Sequence, residues 1–165
     1  LPELPRFGMR MELHQPYEYL TYYGRGPLEN YIDRYSSSFI GRYEDKVENQ
    51  FYWYIRPQET GNKTDVRWLT LLDSEGQGVR ITGLQPIAFS ALHFSPEDLD
   101  PGLTRKLQHT IDIVPQKNIF LHVDLKQRGL GGDNSWGMYP HNKYRLLDKK
   151  YTYSYMIELV EKGSD

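Results

Sequence analysis

Apolar and polar residues alternate one for one along separate stretches of this chain, and that period of two constrains its fold more than any other feature. In YTYSYMIELV, Tyr151, Tyr153, Tyr155, Ile157 and Leu159 fall on one side and Thr152, Ser154 and Glu158 on the other, with Met156 and Val160 breaking the pattern. IFLHVDLKQ sets Ile119, Leu121, Val123 and Leu125 against Phe120, His122, Asp124 and Lys126; MRMELH sets Met9, Met11 and Leu13 against Arg10, Glu12 and His14. Successive side chains of a strand point to opposite faces, so strict alternation predicts half-buried strands of antiparallel sheets. Segments 17–23, 51–55, 66–72, 79–82, 87–94, 104–111 and 143–147 read as further strands. Turn chemistry in GRGP, DSEGQG, DPG and LGGDN separates them. Only SPEDL reads as helix, with Ser95 as N-cap, Pro96 in the first turn and the acids Glu97 and Asp98 behind it. About ten short strands with turns at regular spacing predict an all-β fold, a sandwich before a barrel.

A length of 165 residues suits one domain with a real core. Residues 1–4 read as linker, 5–160 as the domain and 161–165 as tail; the abrupt LPELP start reads as an interdomain linker or a cut from a longer chain. Twenty basic residues against 22 acidic ones leave a formal charge of −2, which argues against nucleic acid or an anionic membrane surface as the main partner. No apolar run approaches the length of a membrane span. With no cysteine, disulfides, thiol nucleophiles and thiolate metal sites are excluded. The 14 tyrosines fit strands first, and fit sugar- or protein-binding surfaces as well.

Hydrolytic and metal motifs are missing. His14, His93, His109, His122 and His141 are scattered without a short ligand spacing, and there is no nucleophile elbow and no phosphate loop. Asp133 and Asn134 alone fall short of a calcium loop. Three stretches remain. In GRGPLENYIDR, Glu29 and Asp33 can pair with Arg25 or Arg34 while Asn30 caps backbone groups, which is a structured turn; the competing reading, two carboxylates flanking a glycosidic bond, needs a separation that nothing in the spacing shows. In RPQETGNKTDVRWLTL, Glu59, Asp65 and Arg67 are expected to form an ion network that fixes a loop. In GLGGDNSWG, a tryptophan sits among glycines, either as a core plug or as a ring offered to a ligand.

In this order and spacing, the three stretches closely resemble the C-terminal small-chain domain of bacterial β-galactosidases of glycoside hydrolase family two, over nearly the whole chain. The resemblance implies an antiparallel β-supersandwich, galactose mutarotase-like, as the fifth and last domain of a multidomain, homo-oligomeric enzyme that hydrolyses terminal β-galactosides such as lactose. The catalytic glutamates would lie in the barrel domain of the same parent chain, so no residue here is expected to be catalytic. The resemblance implies no metal or other cofactor in this domain, with Mg and Na bound elsewhere in the parent. It also implies that Trp136 is an aromatic platform for the galactoside at the active-site mouth, with Asp133, Asn134 and Ser135 supporting its loop and the flanking glycines allowing close approach to a neighbouring domain. Glu29, Asn30, Asp33, Arg34, Glu59 and Arg67 are then structural. Two other readings stand beside it. One is an autonomous carbohydrate-binding module of the same fold. The other is a mutarotase-like epimerase, for which His93, His122 and Glu158 are the loose candidates.

Overall fold

The alternating stretches become antiparallel sheet. The computed structural model describes residues 3–162 apart from 15, 101, 103–107 and 135. Its strands are β1 (Arg6–Leu13), β2 (Tyr19–Gly26), β3 (Phe39–Lys46), β4 (Lys63–Leu72), β5 (Gly78–Leu92), β6 (Ile119–Gln127) and β7 (Tyr155–Val160). They pair in the order β1-β6-β5-β4-β2-β3, with β7 also on β5, and every pairing is antiparallel. Among the described residues the one α-helix is α1 (Pro96–Leu99). The Asp98 N–H donates to Ser95 Oγ at 3.1 Å, and the Ser95 N–H donates back to Asp98 Oδ2 at 2.7 Å, a reciprocal cap that satisfies both orphan donors. None of the described helices is long and apolar enough to cross a membrane.

Strand β5 organises the molecule. β4 runs along one of its edges; on the other, β7 takes Gly78–Gly83 and β6 takes Ala88–Leu92. The sheet therefore forks at residues 84–87, where Pro86 lacks an N–H for the ladder. There the register with β4 also jumps, from Trp68 opposite Thr82 to Val66 opposite Ile87. This explains why 79–82 and 87–94 read as two strands when they are one. Inward residues from opposite ends of the strand order share one core: Met9, Met11 and Leu13 of β1 pack in the same cluster as Leu20 and Tyr22 of β2 and Tyr43 of β3, around Ile81, Phe89 and Leu121. A flat sheet could not bring its ends together, so the sheet wraps over its own inner face in an all-β, sandwich-like architecture with one short helix. A smaller cluster of Phe51, Leu92, Phe94, Leu99 and Ile113 lies under the helix and the 50–60 loop.

Several expected strands are absent. Residues 51–55 form a loop, because Phe51 and Phe94 pack ring on ring at 4.3 Å and Phe51 is drawn into the smaller cluster. In 143–147, Asn142–Tyr144 is a 3₁₀ turn and Leu146 forms only an isolated bridge with Leu4. Of 104–111, residues 104–107 lie outside the described part, and Thr110–Asp112 is a 3₁₀ turn. β3 was not foreseen.

The polar side of β6 is also not a solvent face. His122 is 8% exposed and Asp124 fully buried. The Asp124 carboxylate sits 3.0 Å from Arg6 Nε, and the same guanidinium reaches Glu59 at 3.5 Å. Opposite Asp124, β1 carries Gly8, where a Cβ would meet the Asp124 carboxylate oxygen at 1.8 Å, so only glycine leaves room for this buried acid. Burial pushes the Asp124 carboxyl up to about 6, against the pull of Arg6, and pushes the His122 imidazole down to about 4.

Candidate functional site

The three sequence stretches meet in space. Glu29 is the hub between the first and the second. Its Oε1 accepts from Arg34 Nη2 at 2.6 Å and from the Tyr54 hydroxyl; its Oε2 accepts from Thr60 Oγ1 at 3.0 Å and from the Gly61 N–H at 2.7 Å. A carboxylate holding four donors is a structural anchor, with no lone pair left free for acid–base work. Beside it, Asn30 is fully buried and ties the same two stretches. Its Nδ2 donates to the carbonyls of Arg25 and Leu28 at 3.1 and 3.0 Å, and its Oδ1 accepts from the Thr64 N–H and hydroxyl at 2.9 and 2.5 Å. Asn62 adds a reciprocal pair: the Asn30 N–H donates to the Asn62 carbonyl and the Asn62 side-chain Nδ2 donates to the Asn30 carbonyl, each at 2.8 Å.

The second stretch does not form the expected network of Glu59, Asp65 and Arg67. Glu59 turns to Arg6, and burial raises its carboxyl. Asp65, at a left-handed φ of 52° in the β4 bulge, takes Arg25 Nε at 2.5 Å, while Arg67 Nη1 donates to the Asp65 backbone carbonyl and its guanidinium lies over the Tyr23 ring. The bulge aims these side chains in different directions, which spacing along an ideal strand could not reveal.

The first stretch also holds the third. Asp33 Oδ2 accepts from the Gly131 N–H at 2.8 Å. Gly129 lies so close to this carboxylate that a Cβ would meet Asp33 Cγ at 2.7 Å, and a Cβ on Gly132 would meet the Met138 carbonyl at 2.2 Å. These glycines therefore serve close approaches inside this chain. Asn134 Oδ1 accepts from the Trp136 N–H at 2.9 Å, an Asx turn, and Asp133 pairs with His141 Nε2 at 2.7 Å. Ser135 lies outside the described residues. At the tip, Trp136 is 90% exposed, so it is not a core plug. The glycine-rich loop is thus held by the Asp33 carboxylate, with its one large aromatic turned to solvent.

Asp33→Ala is expected to leave the sheet intact and loosen this loop. Losing one charge-assisted bond of roughly 1.5 kcal/mol should speed hydrogen exchange at the Gly131 amide by about tenfold. Unchanged exchange there would mean that Asp33 does not hold the loop.

The other candidates have separate partners. His93 Nε2 meets Glu18 at 2.9 Å, His122 is buried within reach of the Arg6 and Arg10 charges, and Glu158 is exposed on β7. Among the described residues, no three His, Asp or Glu side chains gather as a metal site. Sequence reasoning missed the Arg6–Glu59–Asp124 cluster and the buried Lys63; the only signals were a charged residue in an apolar strand and a glycine opposite it.

The family profile described as Beta galactosidase small chain matches residues 2–157. A Beta-galactosidase of Priestia megaterium is 36% identical over 159 residues, covering 96% of this chain and 15% of that protein. One from Streptococcus thermophilus is 34% identical over 160 residues, again 96% of this chain and 15% of the relative, and the Beta-galactosidase BgaC of Bifidobacterium adolescentis is 36% identical over 149 residues, 88% and 14%. The chain thus spans about 15% of the length of the curated relatives it matches.

Proposed function

The chain belongs to the beta galactosidase small chain family, and from that premise we propose that it completes the active-site mouth of a longer β-galactosidase while the chemistry is done elsewhere in the parent. The observation that carries this reading is the exposed Trp136 on a braced loop. An indole face covers the apolar C–H face of a sugar, burying area without fixing one hydrogen-bond pattern. The ring would serve the terminal galactoside or its aglycone, in a mouth shared with the catalytic barrel of the same parent and within a homo-oligomer. On this reading any Mg and Na the parent uses are bound by its other domains. Glu29, Asn30, Asp33 and Arg34 form the brace behind the ring, with Glu29 and Asn30 tying it to β4. This supports a non-catalytic role, since the best-placed carboxylate, Glu29, has every lone pair engaged.

The chain by itself is accordingly expected to turn over no chromogenic β-galactoside, while its full-length parent hydrolyses it under the same conditions. Hydrolysis by the isolated chain, abolished by Glu29→Gln, would overturn the division of labour.

A further inference from the structure

A cleft of about 440 Å³ opens beside the Glu29 hub, between the 27–37 loop and the segment from Asp45 to Tyr54. Trp136 is not among its lining residues. Its volume falls within the ~300–1,000 Å³ of small-molecule sites. Four charged side chains line it, Glu29 and Asp45 against Arg34 and Lys63, and their formal charges cancel. The acids are largely spent: Glu29 holds four donors, and Asp45 accepts from the Lys46 N–H, Asn49 and Gln50, each at 2.8 Å.

The bases are not spent. Lys63 is 2% exposed, and its ammonium donates to Gln50 Oε1 at 2.9 Å and to the Gly61 carbonyl at 3.3 Å. An ammonium has three protons, so one remains for an occupant. Arg34 uses Nη2 on Glu29 and Tyr54, which leaves its other N–H groups. Asp45 Oδ2 takes one donor and can take a second. The wall beside these groups is aromatic: the Tyr52 and Tyr54 rings lie 4.6 Å apart, tilted by 53°, and Tyr52 is 57% exposed.

Balanced charge disfavours an ionic ligand. Spare donors at the floor, a spare acceptor at the rim and an exposed ring ask for a neutral molecule with many hydroxyl oxygens and an apolar face. We propose that this cleft is a binding site for an uncharged pyranose sugar, with hydroxyl oxygens on Lys63 and Arg34, a hydroxyl proton on Asp45 and the ring's C–H face on Tyr52. It stands independently of the role given to Trp136.

The test uses Trp136→Phe, an exposed change that silences the loop. Of the two tryptophans that remain, Trp53 reports on the cleft, because its ring packs 4.9 Å from Phe51, which lines it, while Trp68 does not line it and adds background. Titration with D-galactose, D-glucose, lactose and cellobiose is expected to give a saturable fluorescence change with at least one of them, with Kd on the order of 1 mM. Adding Tyr52→Ala should weaken that binding by about fivefold or more, and Tyr52→Phe should retain it. The proposal is overturned if none of the four sugars saturates, if Tyr52→Ala binds as well as Tyr52, or if inorganic sulfate saturates the signal and displaces the sugar.

Discussion

Asn30→Ala is expected to destabilise the chain by about 4 kcal/mol. The truncation leaves the Thr64 N–H and hydroxyl and the carbonyls of Arg25 and Leu28 without their partner, in a place where Asn30 has no exposure. Each buried group left unsatisfied costs roughly 1–3 kcal/mol, and a water entering the space recovers part of that sum. At roughly 2–4 °C per kcal/mol for a chain of this size, the melting temperature should fall by about 8–16 °C. Asn30→Asp should be no better tolerated, because the carboxylate oxygen that replaces Nδ2 would face the Arg25 and Leu28 carbonyls with no proton to donate, buried and charged. Asn49→Ala, which removes one exposed bond to Asp45, is the control and should cost less than about 1 kcal/mol. An Asn30→Ala melting point within 3 °C of the unaltered chain would show that the two stretches are not joined as described.

His122→Gln is expected to uncover a pH dependence that the unaltered chain hides. The Asp124 carboxyl, raised from 3.8 to about 6, stays protonated in the folded chain where it ionises in the unfolded one, so its contribution to stability falls as pH rises from 4 to 6. The His122 imidazole, lowered from 6.5 to about 4, stays neutral in the folded chain where the unfolded one takes a proton. Its contribution therefore falls as pH drops from 6.5 to 4. The two slopes oppose each other over nearly the same window, and each shift is worth roughly 3 kcal/mol. Removing the imidazole leaves the Asp124 slope uncompensated. Relative to the unaltered chain, His122→Gln should gain about 3 kcal/mol between pH 7 and pH 4 in urea unfolding. Superimposable pH profiles would contradict the assignment.

The fold was legible wherever one strand face is buried and the other is not, as in β1. Ser95 and Asp98 announced the helix cap because both halves of a capping box lie within one turn. β3 escaped for a physical reason: neither of its faces is well covered, so FIGRYEDK has no apolar period to read. Residues 51–55 misled because aromatic content mimics strand propensity, while packing of Phe51 on Phe94 decides their conformation. The site was legible only as separate stretches. Glu29 with Arg34 could be anticipated five residues apart, but Glu29 with Gly61 and Asp33 with Gly131 join positions 32 and 98 residues apart. No local pattern encodes such pairs. The alternation in IFLHVDLKQ sets His122 and Asp124 on the polar side without showing that they are buried, because alternation reports that two faces differ, not what covers the second one.

Trp136→Ala in the full-length parent tests the central claim most directly. Removing one aromatic face from a sugar should cost roughly 1–2 kcal/mol of binding, about tenfold in KM for a β-galactoside or in the affinity of a sugar acceptor. The melting temperature should be unchanged, because the ring is exposed in the chain. A raised KM with an intact fold is the predicted result; kinetics indistinguishable from the unaltered parent would contradict the account.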